Sequence, residues 1–295
     1  MFYKRTEQMH DAAQGIDKLP LQQVAAILAE GQVAAAQAVH GALDAIAEGA
    51  FTMANALRNG GMLHFVAAGS SGLMAAADAQ ELGGTFSIPA ENLRIHMAGG
   101  LPTGVEMPGH TEDQTSDLTT TLQSLTHTDV IIAVSASGTT PYTVVACEIA
   151  AARGAKIVAI ANNPGTPLLT MADCPILLET PPEVLSGSTR MGAGTAQKIA
   201  LNMLSTLMAF ELGHVYDGMM VNLRADNIKL RQRACSIIQR AADVSEDTAH
   251  SVLDAAEGNV KVAVLMAKKD VSLEKARVLL SENGGHLRPA LEQNH

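Results

Sequence analysis

Leu63-His64-Phe65-Val66-Ala67-Ala68-Gly69-Ser70-Ser71-Gly72 and Val130-Ile131-Ile132-Ala133-Val134-Ser135-Ala136-Ser137-Gly138-Thr139-Thr140-Pro141 follow one plan: an apolar run, a short loop of Gly, Ser and Thr, then a helix-like segment. A near-continuous apolar run of this length reads as a parallel strand buried on both faces. Small residues ahead of a helix let backbone N–H groups close in on an oxyanion, and the helix N-terminus and hydroxyls add to the attraction. Two such loops on one sheet predict a site for a phosphorylated small molecule.

Working outward, strand and helix alternate: strand 62–68, helix to about Leu82, strand 93–98, helix near 112–125, strand 129–134, helix 141–153, strand 156–161 and strand 175–178. This is the signature of an α/β fold with right-handed crossovers, here a three-layer domain with a parallel sheet of about five strands flanked by helices. Ahead of it, residues 1–60 form an Ala-rich helical arm closing at Asn59-Gly60-Gly61. Behind it, residues 226–295 read as a small C-terminal helical domain of three helices, with Ser245 and Ser272 as N-caps. The central domain is then 61–225.

Composition removes several classes of function. The chain has 295 residues, a formal net charge of −10, five Phe, three Tyr and no Trp, so it lacks the basic, aromatic footprint of a nucleic-acid surface. Its apolar stretches fall short of the roughly 20 residues a membrane helix needs. The first residues, Met1-Phe2-Tyr3-Lys4-Arg5-Thr6-Glu7, lack the apolar core of a secretory leader. Cys147, Cys174 and Cys235 are odd in number and widely spaced, as expected of reduced cytoplasmic thiols. The ten histidines are scattered without ligand spacing, so neither a metal nor another cofactor is expected; His110, two residues before Glu112, is the one nearest a candidate acid.

In the second loop, Ser135, Ser137 and Thr140 surround Gly138, and Pro141 suits a first helical turn. The residues fit either a phosphate cradle or an ordinary turn capped by Ser or Thr. Neither G-x-G-x-x-G nor a P-loop is present, which sets nucleotides aside.

The order strand, Gly-Ser-Ser-Gly, strand, Ser-x-Ser-Gly-x-Thr and then Glu183-Val184-Leu185-Ser186-Gly187-Ser188-Thr189-Arg190 resembles a sugar isomerase (SIS) domain. Within that superfamily, segments 81–86, Thr111-Glu112-Asp113, 137–142, Pro182-Glu183, 187–190, Gly194-Thr195-Ala196-Gln197-Lys198 and Leu201-Asn202-Met203 resemble the N-acetylmuramic acid 6-phosphate etherase family. The similarity continues through Val215-Tyr216 and Asn227-Ile228-Lys229-Leu230 into the tail. It implies a sugar 6-phosphate substrate, a cytoplasmic homodimer, and cleavage of a D-lactyl ether by elimination and addition of water. By the same resemblance, Glu81 protonates the departing lactate oxygen and later activates water, while Glu112 handles the proton on carbon 2. Gly69, Ser70, Ser71, Ser135, Ser137, Gly138, Thr140, Glu183 and Ser188 are the implied substrate-binding residues. Read without the resemblance, Glu81 near a helix end and Glu112 near a helix start are also explained as ordinary solvated or dipole-complementing acids.

The family pattern is broken in places. Leu73 and Thr139 stand where relatives carry arginine, Gly192 where they carry lysine, and Thr6-Glu7-Gln8 leads into Met9-His10-Asp11 instead of Arg-Asn-Pro. Two alternatives follow. One is an aldose-ketose isomerase, with Glu183 resembling the base in the isomerase domain of glucosamine 6-phosphate synthase, against a plain backbone-binding role for that residue. The other is a non-catalytic sugar-phosphate sensor resembling the glucokinase regulatory protein. Geometry adds a constraint: an unbroken helix from Ser71 would carry Glu81 on the order of 15 Å from its own loop at about 1.5 Å per residue. Either that helix breaks early or the site is shared between subunits.

Overall fold

A computed structural model describes residues 4–107, 111–223 and 227–293; His110 and the 225/226 boundary lie outside them. The chain forms two compact units, one of residues 1–80 and 91–206, the other of 81–90 and 207–295.

The first unit opens with 3₁₀ turns and two helices, α1 (Leu21–Gln37) and α2 (Leu43–Arg58). Strands β1 (Leu63–Ala67), β2 (Leu93–Met97), β3 (Val130–Ser135), β4 (Lys156–Ala161) and β5 (Cys174–Leu177) follow, all parallel, in the order β2-β1-β3-β4-β5. Every residue of β1 and β3 is buried. The cause is helical cover on both faces. On one face Val66, Ile131, Ala133, Ile157 and Ala159 pack with Leu118, Leu122, Ala146, Cys147, Ala150 and Leu168. These come from α4 (Leu118–Thr121), α5 (Pro141–Arg153), α6 (Pro167–Met171) and the residues just after α4. On the other face α2 approaches so closely at Gly49 that a Cβ there would lie 2.9 Å from Leu204 and 3.1 Å from Val158.

Two helices cross the division between the units: α3 (Gly69–Phe86) and α7 (Gly192–Glu211). Helix α3 is unbroken, and it begins at Gly69, with the Gly72 N–H donating to the Ala68 carbonyl at 3.0 Å. The expected Gly-Ser-Ser-Gly loop is thus the first turn of a helix, and the expected early break does not occur. The helix predicted over 112–125 shrinks to the four residues of α4. Its approach, Thr115-Ser116-Asp117, consists of side chains that compete for the backbone and disfavour helix, leaving Glu112 in a turn.

The second unit holds a two-stranded ribbon, β6 (Val215–Tyr216) and β7 (Met219–Met220), and helices α8 (Ile228–Ala242), α9 (Glu246–Ala255), α10 (Val260–Lys269), α11 (Leu273–Glu282) and α12 (Leu287–Glu292). Five helices therefore stand where three were expected. Glu257 and Gly258, both at positive φ, end α9 before α10 begins, and the short α12 is masked in the sequence by Gly284-Gly285 and Pro289. Asn227, Ser245, Asn259 and Ser272 each accept a backbone N–H and cap the helix that follows. Lys261 is buried at the centre of this unit, donating to the Gly213 and Gly285 carbonyls, and burial lowers its pKa to about 8.

On the first unit's sheet, His64 and His96 are diagonal neighbours, with rings stacked 5.2 Å apart and Nδ1 of His64 3.0 Å from Nε2 of His96. That bond needs one N–H and one bare nitrogen, so a doubly protonated pair cannot keep it. Burial depresses the pKa of both, with the other imidazole as a further cause for His96, which falls to about 4. Because the folded values lie below the unfolded value of about 6.5, the stabilisation is complete above pH 6.5 and is lost as pH falls toward 4. The urea midpoint is expected to drop across that window, and to drop less in His96→Gln; an equal pH dependence in the variant would refute this origin.

Candidate active site

β1 and β3 are neighbours in register, Ala67 opposite Val134, so the turns that leave them emerge at the same edge of the sheet. There they enclose a cavity of about 300 Å³ lined by Ala68, Gly69, Ser70 and Ser71 from one turn and Ser135, Ala136, Ser137 and Thr140 from the other. Glu112, Met107, Gly187, Thr189 and the N-terminal residues Thr6 and Glu7 complete the wall.

The hydroxyls of the second turn converge. Ser135 Oγ lies 2.9 Å from Thr140 Oγ1 and 3.3 Å from Ser137 Oγ, and Ser137 Oγ lies 3.4 Å from Thr140 Oγ1. Thr140 is the N-cap residue of α5, but its side chain makes no capping bond, turning instead into this cluster. Ser135 and Ser137 also cap the turn itself, their Oγ atoms accepting the Gly138 and Thr139 N–H groups at 3.1 and 3.2 Å. Gly138 makes the turn possible: it sits at φ +68° and a Cβ there would fall 2.3 Å from Thr166 Oγ1, while its N–H donates to Ser135 Oγ at 3.1 Å. Across the cavity, the first N–H groups of α3 lack intrahelical partners and are available to an anion.

Glu112 stands against the first turn. Gly69 is at φ +54°, and a Cβ on it would meet Glu112 Oε1 at 2.8 Å, so glycine is what lets the carboxylate close on the start of α3. The Glu112 carbonyl accepts the Tyr142 N–H at 3.1 Å, tying its turn to the first turn of α5. A partly buried carboxylate, a hydroxyl cradle and a helix N-terminus in one cavity can hold an oxyanion and move a proton a few ångströms away. Glu81 is not among the lining residues. It falls in the second unit, twelve residues along α3 from Gly69, or about 18 Å at 1.5 Å per residue.

Glu183 is not brought into the cavity either. It is buried, and its two carboxylate oxygens accept the N–H groups of Gly192 at 2.9 Å and Ala193 at 2.8 Å, capping α7. This contact matches the backbone-binding alternative for Glu183. Gly192 is crowded by the same contact: a Cβ there would sit 3.1 Å from Glu183 Oε2 and 3.0 Å from Ala35 Cβ, leaving little room for a larger side chain. Ser188 belongs to the turn that supplies Gly187 and Thr189 but does not itself line the cavity.

Sequence reasoning missed the N-terminal segment. Asn163, buried after β4, accepts the Thr6 N–H at 3.3 Å and donates to Thr6 Oγ1 at 3.1 Å and to the Ala136 carbonyl at 3.0 Å. Arg5 pairs with Glu179 at 3.2 Å, Ser186 Oγ donates to the Gln8 carbonyl, and Lys4 Nζ donates to Thr139 Oγ1 at 2.8 Å. The segment is thereby fastened beside the second turn, with Glu7 facing the cavity. Polar residues far from the loops in sequence gave no periodic signal of this. Among the described residues no group of three or more His, Cys, Asp or Glu is placed to hold a metal ion.

The parallel sheet, with two Gly/Ser turns meeting over one cavity, defines a SIS fold, and residues 105–212 match the SIS domain. A candidate phosphosugar isomerase involved in capsule formation from Bacteroides fragilis superposes with a TM-score of 0.52 over 67% of this chain and 94% of that one, at 20% identity. At finer grain, the N-acetylmuramic acid 6-phosphate etherase of Deinococcus radiodurans is 41% identical over 98% of this chain and 95% of its own length. That of Klebsiella aerogenes is 36% identical over 97% and 96%. The chain belongs to the N-acetylmuramic acid 6-phosphate etherase family.

Replacing Glu183 by alanine is expected to destabilise the protein by about 2–3 kcal/mol, through loss of two hydrogen bonds to an ionised group, measured by urea denaturation. A variant of unchanged stability that had lost its chemistry would return Glu183 to the reaction.

Proposed function

We propose that this protein hydrolyses the D-lactyl ether of N-acetylmuramic acid 6-phosphate, giving N-acetylglucosamine 6-phosphate and D-lactate. The observation that carries the reading is Glu112 closing on Gly69 in the same cavity as the Ser135, Ser137 and Thr140 hydroxyls. The cradle suits a phosphate, and the carboxylate stands beside it. Residues 61–225 are then the sugar-phosphate-binding domain, with residues 1–60 as its arm and 226–295 as the helical domain. No helix among the described residues is long and apolar enough to cross a membrane, and three free, buried thiols suit a cytoplasmic enzyme.

In the reaction, the ring-opened sugar presents an aldehyde that acidifies the hydrogen on carbon 2. Glu112 takes that proton, the bond between carbon 3 and the ether oxygen breaks, and its electron pair leaves with lactate. A second acid protonates the departing oxygen. Water then adds to carbon 3 as the proton returns to carbon 2, so atoms balance as a net hydrolysis. We assign the second acid to Glu81, delivered by a second copy of the chain, because the unbroken α3 carries this subunit's own Glu81 away from its first turn. The site is thus one shared by a homodimer.

D-lactate release from N-acetylmuramic acid 6-phosphate tests the activity, with Glu81→Ala and Glu112→Ala each expected to lower turnover by about 10²–10⁴-fold. No lactate from folded wild-type protein would refute it. Co-expressing the two inactive variants tests sharing: mixed dimers contain one intact site and should recover activity, whereas a site built within one subunit would recover none.

A further inference from the structure

The cavity has an uneven electrostatic balance. Among the described residues its wall carries two carboxylates, Glu7 and Glu112, and neither lysine nor arginine, yet the proposed substrate brings a phosphate bearing close to two negative charges. Hydroxyls and backbone amides provide hydrogen bonds but little net charge to offset it. The cation set closest to the cradle by its bonds is Lys4. Its Nζ donates to Thr139 Oγ1 at 2.8 Å, and Thr139 Oγ1 in turn donates to Ser137 Oγ at 3.2 Å, one of the converging hydroxyls. Among the described residues Lys4 forms no ion pair with a carboxylate; its bonded partner is a neutral hydroxyl. Its position is built, because Arg5, Thr6 and Gln8 immediately after it are each fastened to residues of the same unit.

We propose that Lys4 is the cation of the phosphate subsite, reaching over the second turn to share the substrate's phosphate with Ser137 and Thr140. An ammonium has three N–H donors, so it can keep its bond to Thr139 and offer the others to a phosphate oxygen. Position 139 is where such a role becomes necessary: a short threonine at this point of the loop supplies a hydroxyl to anchor the lysine but no charge of its own. The N-terminal segment thereby becomes part of the binding site, setting affinity for the phosphorylated form of the sugar. This rests on the reading of the hydroxyl cluster as the phosphate cradle.

The test compares N-acetylglucosamine 6-phosphate with N-acetylglucosamine by titration calorimetry and competition. Lys4→Gln keeps an N–H donor for Thr139 but removes the charge. It is expected to weaken binding of the 6-phosphate about tenfold, as for loss of one charge-assisted bond, while leaving the unphosphorylated sugar unchanged. The deficit should shrink at high salt, and Thr139→Arg in the Lys4→Gln background, which puts a cation on the loop itself, should restore affinity. Unchanged 6-phosphate binding in Lys4→Gln, with Ser137→Ala still weakened, would overturn the role of Lys4 and leave the cradle standing. Equal weakening of both sugars would also overturn it, showing that Lys4 only orders the segment. A wild-type protein without preference for the 6-phosphate would overturn the cradle reading, and the proposal with it.

Discussion

Two parallel strands hydrogen-bonded side by side must release their following turns at the same edge of the sheet. In this protein that constraint governs the site. β1 and β3 are paired in register, so two segments more than sixty residues apart in sequence are delivered to opposite walls of one cavity. Both strands are buried along their whole length, so their side chains are packed on both faces of the sheet. The glycines then set how closely the walls approach: Gly69 admits the Glu112 carboxylate and Gly138 admits the Thr166 side chain.

Three glutamates show how placement, not residue type, divides roles. Glu183 sits under the N-terminus of α7 with each oxygen accepting a backbone N–H group, a geometry that holds a helix. Glu112 lies in a turn, bound to its neighbours through its backbone carbonyl, with its carboxylate directed at the cavity. Glu81 rides on a long helix whose start forms one wall of the cavity and whose far end belongs to the other unit. A straight helix cannot present both its first turn and a residue three turns later to one small ligand.

Much of the architecture could be read from the chain. The five strands stand within a residue or two of where the apolar runs put them, most plainly β1 and β3, because a strand buried on both faces leaves a near-continuous apolar run. The Ser-x-Ser-Gly-x-Thr turn was legible for the same local reason: Gly138 and Pro141 fix its backbone. Where the reading failed, local pattern was a poor guide to stability. Thr115-Ser116-Asp117 looked like the body of a helix and became turns, Gly69-Ser70-Ser71-Gly72 looked like a loop and became helix, and α12 hid behind two glycines.

The sequence by itself determined the fold class, the Ser-x-Ser-Gly-x-Thr turn and the family, since these depend on periodicities and motifs that neighbouring residues specify. Only the tertiary structure decided that Glu183 caps α7, that Thr140 turns its hydroxyl to Ser135 and not to its own helix, and that Thr6 is fastened beside the site by Asn163. Those outcomes depend on which donor and acceptor meet, across five to ten residues at Thr140 and Glu183 and across 157 between Thr6 and Asn163. Such meetings follow from where the folded backbone brings distant groups within hydrogen-bonding range, which no local pattern encodes.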